Sequence, residues 1–212
     1  MIQNFEDKRF SMVADQLIRR QIKSEAVLES MRSVPRHLFL PENMIGYAYD
    51  DSPMPIGWGQ TISQPYIVAY MTELLEPAPG KKVLEIGAGS GYQAAVLAHL
   101  GCDVYSIECV EKLAAGAAKV LADLGYNNVK IRHGNGYMGW PEEAPFDAVI
   151  VTAAPEVIPE KLIEQLAEGG MMIVPVGEVH SVQSLMRITK KDGRAVQENL
   201  LPVRFVPMVR FS

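Results

Sequence analysis

A glycine-rich turn near the middle of the chain has the residue types needed to hold a nucleotide-like ligand. The stretch 85–91 reads EIGAGSG and lies between a run typical of a strand and a run typical of a helix. Glycine has no Cβ, so its backbone can pass close to a ligand. In a parallel sheet, such a turn lies at the carboxyl end of a strand, where ligands bind. The predicted binding residues of this turn are Glu85, Gly87, Ala88, Gly89, Ser90 and Gly91.

The spacing of these glycines indicates which ligand the turn holds. It is GxGxG followed by Tyr92, whereas dinucleotide-binding enzymes carry GxGxxG. Glu85 stands two residues before the first glycine, and a pyrophosphate is disfavoured by a carboxylate so close. A ligand with a cationic amino acid tail and no phosphate, such as S-adenosylmethionine, suits Glu85 better. The alternative is a plain tight turn with Glu85 as a structural acid.

A second carboxylate stands where the next strand is predicted to end. Glu108 lies 17 residues after Gly91 (108 − 91 = 17). A carboxylate at this place can accept hydrogen bonds from both ribose hydroxyls of an adenosine. Taken alone, Glu108 is better explained as a solvated acid at a strand end. Together with the glycine turn, it favours an adenosine site.

The elements that must position these residues alternate between strand and helix from residue 81 onward. Short apolar runs such as 83–86 and 103–107 are typical of strands buried on both faces. The alternation predicts an α/β fold with a doubly wound, mostly parallel, Rossmann-like sheet. One helix is predicted over residues 160–170. Beyond residue 180, two strand-like runs around a turn at 192–193 predict an antiparallel C-terminal edge.

The segment before residue 80 has a different pattern. Residues 8–23 and 25–33 have helical spacing, and a further helix is predicted to begin at Pro65. Residues 50–65 are rich in proline and glycine and predict loop or extended structure. The 212 residues suit one domain, with a helical cap and substrate loop over 1–79 and a cofactor-binding core over 80–212.

The composition argues against several functional classes. The net charge is −5 and no basic surface is visible, which disfavours a nucleic acid partner. No apolar run is long enough to span a membrane. Neither the two cysteines nor the four histidines have metal-ligand spacing, so no metal is expected. Free thiols fit a reducing compartment, and we expect a monomer in the cytoplasm.

The glycine turn and the acid that ends the next strand resemble class I S-adenosylmethionine-dependent methyltransferases over residues 80–180. The resemblance implies that Asn135 and Gly136 lie beside the adenine of the cofactor. That family usually has an aspartate at position 135, so Asn135 is a departure that removes charge assistance from this contact. Residues 152–155 read TAAP, which differs from the motif of enzymes that methylate exocyclic base nitrogens.

Five further segments resemble one branch of these enzymes, the protein-L-isoaspartate O-methyltransferase family. The segments are GQTISQP at 59–65, VPR at 34–36, PMPIG at 53–57, TAAP at 152–155 and RFVPM at 204–208. Because they are spread along the chain, the resemblance covers most of it. It implies a substrate site formed by Thr61, Ile62, Ser63 and Val206, with Ser63 beside the methyl acceptor.

The physical character of this segment agrees with the resemblance. In an extended run, Thr61 and Ser63 point to one face and Ile62 to the other, so that two hydroxyls can hold a carboxylate. The alternative is that Ser63 or Gln64 caps the helix that begins at Pro65.

The expected reaction is methyl transfer from S-adenosylmethionine to the free carboxylate of L-isoaspartyl residues in damaged proteins and peptides, leaving S-adenosylhomocysteine. The resemblance implies that the ester then collapses to a succinimide, whose hydrolysis returns some normal aspartate. Two alternatives stay open at this point. One is a methyltransferase for small-molecule carboxylates, and the other is a non-catalytic adenosine-binding module.

Overall fold

The computed structural model describes residues 4–179 and 181–209. His180, one of the four histidines considered for metal binding, lies outside the described residues. The α-helices within these ranges are α1 (Phe5–Met12), α2 (Glu25–Ser33), α3 (Pro65–Leu74), α4 (Tyr92–His99), α5 (Glu111–Asp123) and α6 (Glu160–Glu164). The strands are β1 (Met54–Gly57), β2 (Gln60–Ile62), β3 (Lys82–Ile86), β4 (Asp103–Glu108), β5 (Val129–His133), β6 (Phe146–Val151), β7 (Leu166–Val176), β8 (Gln183–Lys191) and β9 (Arg194–Val203).

The strands form a small hairpin and one large sheet. β1 and β2 pair antiparallel, and the seven-stranded sheet has the order β5-β4-β3-β6-β7-β8-β9. The first five of these strands are parallel, and β8 and β9 join antiparallel. The chain therefore reverses its direction of winding between β3 and β6, which is where ligands bind in such sheets. The predicted doubly wound sheet with an antiparallel C-terminal edge is confirmed.

The central strands are apolar throughout because both faces of the sheet are covered. Val83 packs in a cluster with the N-terminal helices, α3 and α4, whereas its neighbour Leu84 packs in a second cluster on the opposite face. Both side chains are fully buried. Alternate residues of one strand thus serve two cores, which explains the unbroken apolar runs in the sequence.

The N-terminal segment forms the predicted helical cap with some local differences. The predicted helix over 8–23 begins earlier, at Phe5, where the Asn4 side chain accepts from two backbone N–H groups of the first turn. It then widens into a π-helical turn (Val13–Leu17) before a short 3₁₀ turn (Ile18–Arg20). α2 has the predicted bounds and ends just before Pro35.

The predicted helix over 160–170 is wrong in its second half. α6 stops at Glu164, and β7 begins at Leu166. The cause is Gln165, whose side chain accepts from Trp140 N at 2.7 Å and donates to Met138 O at 2.8 Å. Its backbone carbonyl also accepts from Phe146 N at 2.9 Å, so the chain enters the sheet here. No helix within the described residues is long and apolar enough to cross a membrane.

Candidate active site

The glycine turn after β3 adopts backbone conformations that favour glycine. Gly87, Gly89 and Gly91 have φ values of +97°, +53° and +89°. A Cβ on Gly87 would lie 2.5 Å from Thr152 Oγ1, and one on Gly91 would lie 3.2 Å from a carbon of Leu121. The turn therefore passes between the end of β6 and the side of α5 only because these residues have no side chain.

Glu108 lies at the end of β4 and faces the glycine turn. Its side chain is buried and accepts hydrogen bonds from Gly89 N at 2.8 Å and Val110 N at 2.9 Å. Cys109 Sγ donates to the same oxygen as Val110 N, at 3.5 Å. A carboxylate has about four acceptor positions, so one remains for a ligand, on the oxygen that accepts from Gly89 N. Glu108 thus joins the turn to the start of α5 and presents a carboxylate to the space beside them.

Two narrow cavities adjoin the glycine turn. One contains Glu108 and Gly136, with Ile86, Ile107 and Met208 as apolar walls, and the other contains Ala88 and Ser90. Gly87, Gly89, Thr61 and Thr152 line both. The structure therefore brings together six of the nine predicted cofactor residues at the carboxyl ends of β3, β4 and β6, whereas Glu85, Gly91 and Asn135 line neither cavity.

The segment 134–136 only partly follows its prediction. Gly136 is buried in the first cavity wall, and a Cβ there would lie 2.5 Å from Ile86 Cγ2. Asn135 is half-buried and lines neither cavity, and its Oδ1 accepts from Tyr137 N at 3.0 Å. The amide oxygen is engaged in holding the local turn, so it is Gly136 that reaches the predicted adenine site.

Glu85 is a predicted cofactor residue that lies inside the sheet and lines neither cavity. It is fully buried in the sheet between Ser106 and Ile150, where Ser106 Oγ donates to its Oε2. Its Oε1 has no hydrogen-bond partner among the described residues. Burial raises the pKa of Glu85 to about 8, so the carboxyl group is mostly neutral at pH 7. A neutral group inside the sheet offers no ion pair to the cationic tail of a ligand.

The hairpin β1–β2 carries the predicted substrate residues to the mouth of these cavities. Thr61 is exposed, Ile62 is buried and Ser63 is half-buried, which is the predicted alternation. No side chain caps the N-terminus of α3, and the Gln64 amide instead donates to Asp51 Oδ1 at 2.8 Å. The capping alternative for Ser63 and Gln64 therefore has no support in the structure.

A larger cleft of about 900 Å³ opens to solvent on the other side of the hairpin. Thr61, Ser63, Thr152 and Val206 line it. Two residues of the segment 204–208, Val206 and Pro207, line both this cleft and the narrow cavity that contains Glu108. That segment is held by Ala154, whose N–H donates to Val206 O at 2.8 Å and whose carbonyl accepts from Met208 N at 2.8 Å.

The narrow cavities and the open cleft meet at two threonines. Thr61 and Thr152 line all three spaces. Thr152 Oγ1 donates to the carbonyl of Gly87 at 2.7 Å. The sequence prediction did not assign Thr152 to the site, although it lies in the TAAP segment that carried the resemblance. A ligand in the narrow cavities and a second ligand in the cleft could thus both contact these two threonines.

The comparison with known families agrees with this arrangement. The family model described as "Protein-L-isoaspartate(D-aspartate) O-methyltransferase (PCMT)" matches residues 8–212. The chain belongs to this family. The resemblance predicted from the glycine turn and the 59–65 segment is therefore confirmed.

Relatives named protein-L-isoaspartate O-methyltransferase cover nearly the whole chain. The protein from Opitutus terrae is 57% identical over 204 residues, which is 96% of this chain and 88% of that protein. The protein from Gloeobacter violaceus is 54% identical over 199 residues, or 94% of this chain and 97% of that protein.

Solved structures of this family have the same fold. A putative protein-L-isoaspartate O-methyltransferase from Plasmodium falciparum, in complex with S-adenosyl-L-homocysteine, superposes with a TM-score of 0.83 at 31% identity. The match covers 95% of this chain and 98% of that one. Another structure named protein-L-isoaspartate O-methyltransferase has a TM-score of 0.86 at 31% identity. It is longer, since the match covers 95% of this chain and 65% of that one.

The raised pKa of Glu85 predicts how stability changes with pH. The folded protein favours the neutral form of the Glu85 carboxyl group, so this form stabilises the fold at low pH. Its contribution to the free energy of unfolding is lost as the pH rises from about 4.5 through about 8. We expect the free energy of unfolding of the wild type to fall relative to that of Glu85→Gln across this window, as measured by urea denaturation. The exposed Glu156→Gln serves as the control and should show no such trend. A difference between Glu85→Gln and wild type that is independent of pH would contradict the assignment.

Proposed function

We propose that this chain performs the reaction of its family by transferring a methyl group from S-adenosylmethionine to the free carboxylate of L-isoaspartyl residues. The observation that carries the proposal is the meeting of the narrow cavities with the open cleft at Thr61 and Thr152. This arrangement suits a buried methyl donor and an acceptor that arrives from solvent. The substrates are damaged proteins and peptides.

The residues around the glycine turn fit the cofactor. Gly87 and Gly89 let the backbone approach it, Gly91 lets the turn pass α5, and the unused acceptor position of Glu108 suits a ribose hydroxyl. Ala88 and Ser90 complete this wall, and Gly136 closes the adenine end, while Asn135 holds the local turn behind it. S-adenosylmethionine supplies a methyl group on a positively charged sulfur. In our proposal Glu85 supports the turn from within the sheet and does not touch the ligand.

The acceptor needs orientation and no proton transfer. A side-chain carboxylate has a pKa of about 3.9 and is ionised at pH 7 without a general base. The described residues that line the cleft include no carboxylate and no histidine. Ser63 and Thr61 present hydroxyls that can hold the carboxylate, and Ile62 anchors the strand between them. Alignment of the reacting atoms and exclusion of water are then the main contributions of the protein.

The shape of the cleft favours a peptide over a small-molecule carboxylate. The cleft is open, and the backbone around Val206 forms one of its walls. A small acid would be held more tightly in a closed apolar pocket. We therefore propose that the peptide backbone lies along the segment 204–208.

The remaining parts of the proposal concern the whole chain. We propose one domain, in which residues 1–79 supply the cap and substrate loop and residues 80–212 supply the cofactor core. Cys102 and Cys109 are unpaired, which fits the reducing cytoplasm. We propose that the enzyme acts as a monomer on isoaspartyl proteins, without nucleic acid or membrane partners.

This activity is tested directly by comparing two peptides that differ only in the linkage of one residue, which is isoaspartyl in one peptide and normal aspartyl in the other. We expect methyl incorporation into an isoaspartyl peptide, followed by methanol release, and none into its normal aspartyl twin. Equal methylation of both peptides would contradict the repair activity. Rapid methylation of small carboxylic acids, with neither peptide accepted, would support the small-molecule alternative.

The proposed role of Glu108 predicts weaker cofactor binding in Glu108→Ala. Loss of hydrogen bonds to a charged group should reduce affinity for S-adenosylhomocysteine by about 1–3 kcal/mol in isothermal titration. Because Glu108 also accepts from two backbone N–H groups, the stability of the variant should fall as well. The control is Glu111→Ala, an exposed acid in the first turn of α5. Unchanged affinity in Glu108→Ala would remove Glu108 from the site.

The proposed role of Ser63 predicts a loss of turnover without loss of cofactor binding. Ser63→Ala should lower the rate of methyl transfer to an isoaspartyl peptide by about tenfold, the effect of one hydrogen bond to a charged acceptor. The affinity of Ser63→Ala for S-adenosylhomocysteine should match that of the wild type. The control variant Ser52→Ala should match the wild type in both the rate of methyl transfer and this affinity. If Ser63→Ala lowers only the melting temperature, the residue has no part in orienting the acceptor.

A further inference from the structure

Arg36 is a fully buried cation that joins the N-terminal cap to the active site. It begins the short 3₁₀ turn that follows α2. Its guanidinium bridges two backbone carbonyls: Nε donates to Ala48 O at 2.7 Å, and Nη2 donates to Ser63 O at 2.7 Å. The second of these residues is the one that we propose orients the methyl acceptor.

The charge of Arg36 is not balanced by an opposite charge in the described part of the core. Arg36 has no ion pair within residues 4–179 and 181–209, and its Nη1 has no hydrogen-bond partner there. Burial lowers the pKa of Arg36 to about 10, so the group is still charged at neutral pH. A buried charge without a counter-ion is costly, and an apolar side chain of similar volume would usually stabilise a core better.

The contacts of Arg36 connect the two halves of the active site. Its guanidinium lies over the ring of Tyr92, with the central carbon 4.8 Å from the ring centroid. Tyr92 is the first residue of α4 and follows directly after the glycine turn that ends at Gly91. The guanidinium of Arg36 therefore contacts both sides of the site. On the donor side it contacts Tyr92, which follows the glycine turn, and on the acceptor side it contacts the carbonyl of Ser63.

We propose that Arg36 is a positioning residue for methyl transfer, which fixes Ser63 relative to the glycine turn through Ala48 and Tyr92. The inference rests on the proposed function. Alignment is the main task of this enzyme, so a rigid link between the acceptor and donor sides acts directly on the rate. A guanidinium suits this role because its donors have a fixed planar geometry, whereas a lysine ammonium at the end of a flexible chain does not.

A double-mutant cycle separates positioning from a merely structural role. Arg36→Lys keeps the charge but cannot reproduce the planar fork. We expect it to lower kcat for an isoaspartyl peptide by about tenfold, with KM changed less and the affinity for S-adenosylhomocysteine within about twofold of wild type. In the Ser63→Ala background, the same substitution should lower kcat by less than about twofold, since residues that act as a unit are not additive.

A matched control accounts for lost stability in the cap. Ser30 is fully buried on α2, and its Oγ donates to Val96 O of α4 at 2.9 Å. Ser30→Ala therefore weakens the packing of the cap on α4 without contacting Ser63. We expect a lower melting temperature for this variant, with kcat at the wild-type value below that temperature.

Each outcome of the cycle decides the proposal. If Arg36→Lys lowers kcat equally in the wild-type and Ser63→Ala backgrounds, or does not lower it at all, Arg36 is not a positioning residue. The proposed function would stand in that case, because the wild-type enzyme is active. A wild type that binds the cofactor and leaves the isoaspartyl peptide unmethylated would overturn the proposed function itself and this inference with it. If Arg36→Lys does not fold, Arg36→Gln, which retains one amide donor, goes through the same cycle with the same criteria.

Discussion

The close contact between Gly87 and Thr152 determines how the rest of the site is arranged. Thr152 Oγ1 donates to the carbonyls of Ile86 and Gly87 at 3.0 and 2.7 Å, and Gly87 N donates to Ile107 O at 2.8 Å. These bonds join the carboxyl ends of three parallel strands. A side chain at position 87 would occupy the place of the threonine hydroxyl. The turn that holds the cofactor and the residue that faces the substrate cleft are thus parts of one contact.

This arrangement explains why the site needs few catalytic groups. An ionised carboxylate attacks a methyl group on a cationic sulfur, so neither a base nor an acid is required, and geometry decides the rate. In the proposed mechanism the sheet provides the fixed side of that geometry through Glu108 and the glycine turn. The hairpin β1–β2 provides the other side, and Arg36 of the N-terminal cap donates to the carbonyl of Ser63 directly after it. On this proposal the cap contributes to catalysis although it lies outside the cofactor fold.

The parts of the fold and site that depend on local signals could be predicted from the sequence. Apolar runs predicted the sheet, and a glycine triplet after a strand predicted the tight turn that we propose for the cofactor, because both signals act over a few residues. The direction of a side chain in a central strand is not local. Glu85 points into the sheet, and Asn135 bonds its own turn. The early end of α6 depends on Gln165 reaching a loop 25 residues away in sequence, and the burial of Arg36 depends on three distant contacts.

A crystal structure with S-adenosylhomocysteine and an isoaspartyl peptide tests the central claim most directly. We expect the homocysteine sulfur beside Gly87 and Thr152, and the isoaspartyl carboxylate within hydrogen-bond distance of Ser63 or Thr61. The two ligands should meet where the narrow cavities open into the cleft. A carboxylate bound elsewhere in the cleft, for example on the exposed Arg204, with no path to the sulfur, would contradict it.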